Sequence, residues 1–194
     1  MERLLSGASV RKPAGGVAEV VLTPASNAGD VRFDDSGGRC RISGFADPTR
    51  CLRPPLVEGR SSYEEQTQGS AGAPLVSHIL TLALDPHDAA AFRNDSTAEA
   101  IRNEGAVALV RTESGRRLCV GCSSRFGTEQ PLRLLGTDYA SGCGLCDRPL
   151  TLLRLHSADT APAAELEEQE TQPDTTENSC LLYTSPSPRD MRRS

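Results

Sequence analysis

Residues Val76-Ser-His-Ile-Leu-Thr-Leu-Ala-Leu84 form the longest run in the chain that only an extended backbone satisfies. Side chains on a strand alternate with a period of two, so Leu80, Leu82 and Leu84 fall on one face while Ile79, Thr81 and Ala83 fall on the other. A face carrying three leucines needs a core to bury it. This segment therefore anchors the expected fold.

Shorter runs of the same character recur, separated by Gly, Pro and Asp. Gly16 to Leu22 reads as a strand closed by Thr23-Pro24. Asp30–Phe33 and Arg39–Ser43 are joined by Asp34-Asp-Ser-Gly-Gly38, the Asp/Gly chemistry of a tight hairpin. Pro54-Pro55 makes 51–60 irregular, because proline fits neither helix interior nor central strand. Ser61 to Gln68 predicts an edge strand, polar on both faces. Ala106–Arg111 and Arg116–Val120, linked by Thr112-Glu-Ser-Gly115, predict a second hairpin. Pro131–Leu135 and Leu150–His156 are further strands.

One helix interrupts the series. Asp85-Pro86 starts it, Ala89, Ala90, Phe92, Ala98 and Ile101 supply an apolar stripe, and Gly105 stops it. Asn94-Asp-Ser-Thr97 offers a point of breakage. Strands in succession, without alternating βαβ units, predict a mainly β fold: a β-sandwich or small open barrel with one α-helix. The alternative is an α+β fold with a zinc-ribbon-like β subdomain. The expected organisation is a flexible stretch over 1–14, one β-rich domain over 15–157 and an acidic, disordered tail over 158–179, the last because its acids meet no basic residue.

The final segment has a different origin. Cys180-Leu-Leu-Tyr-Thr-Ser-Pro-Ser-Pro-Arg-Asp190 resembles, residue for residue, one translated frame of a transposase-type sequencing adaptor. That resemblance implies that 180–194 is an artefact, to be set aside in fold reasoning as an expression scar would be.

Composition excludes some functions. The formal net charge is −5, and more negative without 180–194, so no basic field exists to attract nucleic acid or an anionic membrane. Aromatic residues at 4% and the lack of Trp leave no stacking platform for single strands. No apolar run reaches the roughly 18 residues of a membrane span. Met1 to Ser9 has an acid at its second position and makes a poor signal peptide, so a cytoplasmic chain, or a virion component after assembly, is expected. In that setting Cys40, Cys51, Cys119, Cys122, Cys143 and Cys146 stay mostly reduced.

Two of those cysteine pairs are CxxC motifs. Cys119-Val-Gly-Cys122 and Cys143-Gly-Leu-Cys146, twenty residues apart, have the spacing of a tetrahedral Zn²⁺ site. Against it, residues i and i+3 of an unbroken strand face opposite sides, and Cys119 continues the alternation begun at Arg117. The competing reading makes Cys119 a small buried apolar residue and the other three loop cysteines.

Catalytic constellations are sparse. His78, His87 and His156 sit in a strand, at a helix start and at a strand end, places usual for structural or surface histidines. No serine lies in a GxSxG turn, and Gly15-Gly16 and Gly37-Gly38 lack the spacing of a phosphate-binding loop. Glu64 and Glu65 are strand neighbours that point apart.

Leu118-Cys-Val-Gly-Cys-Ser-Ser-Arg-Phe-Gly-Thr-Glu-Gln-Pro-Leu-Arg-Leu-Leu135 resembles the pattern LLVGYSxRFGxExPLRL of small β-rich proteins found among prophage and mobile-element genes of gut Bacteroidales. Gly15-Gly16-Val17, Pro74–His78, Ala106–Val110 and Leu150–Thr160 extend the likeness over most of 15–160. Cys119 stands where that pattern has an aliphatic residue and Cys122 where it has an aromatic one, which speaks against inherited metal ligands. The resemblance implies a non-enzymatic structural or assembly protein of a phage or prophage virion, tail-associated. It would pack against copies of itself or other virion proteins and use no cofactor. The alternative is a zinc-ribbon-like binding module holding Zn²⁺ through Cys119, Cys122, Cys143 and Cys146.

Overall fold

A computed structural model describes residues 15–70, 73–144 and 146–167. The flexible stretch expected over 1–14, the part of the expected acidic tail from 168 and the segment 180–194 that resembles an adaptor lie outside the described residues.

The fold is mainly β, as the pattern of short strands predicts. Ten strands form two open sheets, and two short helices sit between β5 and β6. The six-stranded sheet runs β1 (Val17–Pro24), β6 (Ala106–Thr112), β7 (Arg117–Val120), β10 (Ala164–Leu166), β3 (Arg39–Ile42), β2 (Val31–Phe33). The four-stranded sheet runs β4 (Ser62–Ser70), β5 (Ala73–Leu84), β9 (Leu150–Asp159), β8 (Arg133–Ala140).

Alternation sets what each face buries. On β5, Val76, His78, Leu80, Leu82 and Leu84 are all buried, and Leu80, Leu82 and Leu84 join Leu153 and Leu155 of β9 in the main core. The opposing contribution comes from Val20 and Leu22 of β1, Ala106, Ala108 and Val110 of β6, and Leu118 and Val120 of β7. The two sheets thus share one apolar interior. The other face of the six-stranded sheet buries a second, smaller cluster of Ala28, Cys40, Val107, Cys119, Cys122 and Ala164. Strands β6 and β7 are therefore covered on both faces.

The expected single helix is two. Proline at the first turn of α1 (Pro86–Asn94) follows the Asp85 cap, whose carboxylate accepts from the His87 amide. Asp95 then leaves the helical region and caps α2 (Ser96–Glu104), accepting from the Thr97 amide at 2.7 Å. Gly105 ends α2 with φ +89, where a Cβ would lie 2.6 Å from the Pro131 ring. The Asp34 hairpin is also as expected: the Asp34 carboxylate accepts from the Arg39 amide and from the Ser36 hydroxyl. These bonds hold its carboxyl below the ordinary range.

Two expectations need correction. The strand expected at 131–135 starts at Arg133 and runs to Ala140, past a bulge between Leu134 and Gly136. Leu132 instead bridges to Ala106 in the other sheet, so the chain changes sheets at this point. The domain also does not stop at 157. Strand β9 continues to Asp159, and β10 lies inside the segment expected to be a disordered tail.

Strand β10 pairs antiparallel with β7 and parallel with β3, so it joins the β2–β3 hairpin to the rest of its sheet. The Glu165 amide donates to the Gly38 carbonyl and the Glu167 amide to the Cys40 carbonyl, both at 2.9 Å. Alternation turns Ala164 and Leu166 to the second cluster. The acids point outward to Arg116 (Glu165, 3.5 Å) and Arg41 (Glu167, 2.9 Å). Such exposed pairs add little energy, so the strand is held by its backbone bonds and by Ala164 and Leu166.

A chain ending at Glu167 should unfold at the same urea midpoint as the full chain. One ending at Thr160 should lose about 2–4 kcal/mol, from the backbone hydrogen bonds of Glu165 and Glu167 and the burial at Ala164 and Leu166. Equal midpoints for the two truncations would refute a structural β10.

Candidate functional site

The four cysteines of the proposed zinc set are not brought together. Cys119 and Cys122 are buried in the second cluster of the six-stranded sheet. Cys143 and Cys146 are exposed in the connection from β8 to β9, which belong to the other sheet. Among the described residues no group of three or more Cys, His, Asp or Glu could hold a metal ion. The zinc-ribbon-like subdomain is therefore not formed. Each pair is local: Asp147 accepts from the amides of Cys143 and Gly144 at 2.9 Å and so closes its own turn.

The alternation that would set Cys119 and Cys122 on opposite sides is interrupted between them. It holds along an unbroken strand, but β7 ends at Val120 and Gly121 has φ +86. A Cβ there would lie 2.6 Å from the Ala106 carbonyl oxygen and 2.9 Å from the Leu132 nitrogen, so only glycine fits the turn. The reversal returns Cys122 to the side of Cys119, with their sulfurs 3.1 Å apart. Cys40 on β3 adds a third thiol. Hydrogen bonds with Cys122 and Cys40 push the Cys119 thiol up, and its bond to Cys119 pulls Cys40 down.

A second constellation was not foreseen. The β4–β5 register sets Glu65 directly across from His78, and the β5–β9 register sets Ser157 on the other side of it. Tyr63, two residues before Glu65, shares its face. Its hydroxyl donates to Glu65 Oε1 at 2.7 Å and lies 2.8 Å from His78 Nδ1. A neutral ring with its proton on Nδ1 then gives that proton to the phenol oxygen. Glu65 Oε1 also accepts from the Ala163 amide at 2.8 Å, so the row grips the chain on its way into β10. The only signal in the sequence is Tyr63-x-Glu65 with His78 beyond a hairpin, and it becomes readable once the register is known.

This row holds chain in place but does not complete a nucleophile. Ser157 Oγ is buried without a hydrogen-bond partner, so no Ser–His relay is made. His87 is exposed at the start of α1, beside Asp88 at 3.8 Å, and His156 lies on β9 opposite Arg133. Among the described residues neither is hydrogen-bonded to His78. Glu64 is exposed, on the opposite face from Glu65. Compared with known protein families, with curated proteins and with solved structures, the chain shows no match. Among the described residues no helix is long and apolar enough to cross a membrane.

Burial lowers the His78 pKa below 6.5, although Glu65, Asp159 and the Ala161 backbone pull the other way and His156 adds to the lowering. Burial also raises the Tyr63 phenol, helped by Glu65. The folded state thus favours neutral His78. Its contribution is complete above pH 6.5 and is lost as pH falls below that value, because only the unfolded chain then takes up the proton readily. The lowered carboxyls of Asp34, Asp47 and Asp147 act below their ordinary 3.8 and do not interfere. Urea midpoints should therefore drop between pH 7 and pH 5, and less steeply in His78→Gln. Tyr63→Phe should cost about 1–3 kcal/mol at pH 7. Identical pH slopes in wild type and His78→Gln would contradict the assignment.

Proposed function

We propose that the protein is a structural or assembly component that works by strand pairing along β8, without catalysis. A comparison of the four sheet edges carries this reading. At one edge, β1 is partly covered, by the Leu22–Leu52 bridge and by the Val17 amide donating to Ser61. At the opposite edge, β2 has only three residues. Edge strand β4 presents Glu64, Glu65, Gln66, Thr67 and Gln68, and charge on an edge discourages pairing.

Strand β8 differs. Its eight residues form the other edge of the four-stranded sheet, with Leu135 67% and Tyr139 65% exposed. A long edge with exposed apolar side chains is a template for a further strand. The partner best fitted to this edge is a second copy of β8. In antiparallel pairing, the register that sets Arg133 against Asp138 brings opposite charges together twice. Both residues lie on one side of the sheet, opposite His156 and Leu152 of β9.

The resemblance to prophage-encoded β-rich proteins supports placing such an assembly in a virion, where copies of one subunit pack by repeated contacts. An acidic chain with few aromatic residues and no Trp agrees with a protein partner better than with nucleic acid.

Light scattering after gel filtration should show concentration-dependent association of the wild type. Leu135→Lys combined with Tyr139→Lys should remain monomeric at the same thermal midpoint, because both side chains are already exposed. A wild type that stays monomeric at every concentration, or a variant that associates equally, would remove the basis for this reading.

A further inference from the structure

We propose that Cys119 and Cys122 are a redox dithiol that closes to a disulfide by exchange with a low-molecular-weight disulfide of the glutathione class. This is independent of strand pairing at β8. Three observations carry it. The sulfurs are 3.1 Å apart, within reach of the about 2.05 Å of a disulfide bond. The positive φ of Gly121 points both thiols to the same side, so closing needs a small adjustment of a turn rather than movement of a strand. Finally, the pair packs among Ala28, Val107 and Ala164, with the thiol of Cys40 as the competing sulfur beside it.

The geometry also orders the steps. Cys119 is fully buried, whereas Cys122 is 5% exposed and is followed closely by the exposed Ser124 and Arg125. Cys122, the more accessible of the two sulfurs, is therefore the first nucleophile, while hydrogen bonds hold the proton on Cys119. Its thiolate attacks one sulfur of the small disulfide, forming a mixed disulfide and releasing one small thiolate, which takes up the proton that Cys122 gave up. Cys119, on losing its proton, attacks the Cys122 sulfur. The bond from Cys122 to the small molecule breaks, and the second small thiolate leaves and takes the Cys119 proton. Two protein thiols and one small disulfide thus become one protein disulfide and two small thiols. Two electrons pass from the protein to the small molecule.

The closed ring would span the Gly121 turn, which packs against Ala106 and Leu132 at the point where the chain leaves for β8. The exposed pair Cys143 and Cys146 has no comparable enclosure.

The test uses the full chain, first reduced and then equilibrated with oxidised glutathione under native conditions. After acid quenching, denaturation and alkylation, trypsin cuts following Arg117 and Arg125. The resulting peptide carries Cys119 and Cys122 and no other cysteine. It should be lighter by two hydrogens, free of alkyl groups and free of glutathione, and dithiothreitol should reverse the change. Two alkyl groups on this peptide, a stable glutathione adduct, or a disulfide from Cys119 to Cys40 would each overturn the proposal.

Discussion

Three residues of backbone pairing hold the six-stranded sheet together. Without β10, strands β1, β6 and β7 form one ribbon and the β2–β3 hairpin another, and among the described residues no other strand hydrogen-bonds the two ribbons. Inserting β10 turns two small pieces into one sheet and closes the second apolar cluster, to which it contributes Ala164 and Leu166. Its position is fixed from the other sheet as well, because Glu65 on β4 takes the Ala163 amide while Tyr63 and His78 hold Glu65. A polar row in one sheet thus secures the strand that completes the other.

Much of this architecture was legible in the chain. The period-two run of β5, the Asp34 hairpin, the β6–β7 hairpin and the Asp85 cap each follow from local chemistry that the tertiary fold leaves intact. Strand β10 was not legible, and the reason is physical. Acidic composition indicates a solvated segment when the acids are considered alone. Here they alternate with Ala164 and Leu166, and arginines distant in sequence, Arg41 and Arg116, neutralise them. Long-range pairing decided the state of a segment whose local signal pointed elsewhere.

The candidate sites divide in the same way. The CxxC spacing was visible, but whether two pairs converge depends on sheet topology, and the topology separates them. The turn at Gly121 was within the motif all along. The Ala106 and Leu132 backbone that crowds it comes together only in the folded chain. The Tyr63–Glu65–His78 row likewise needs a register, since residues thirteen positions apart become neighbours across a hairpin. The free edge of β8 emerged because that strand continues past its bulge to Ala140, which places Tyr139 on the edge.

Amide hydrogen exchange at Glu165 and Glu167 tests the central claim most directly. Both amides donate to carbonyls of the β3 side of the sheet, Gly38 and Cys40, at 2.9 Å. If β10 is the strand that unites the sheet, these two amides exchange slowly, with protection approaching that of the β6–β7 hairpin amides. Exchange at the rate of unstructured chain at both positions would contradict the account.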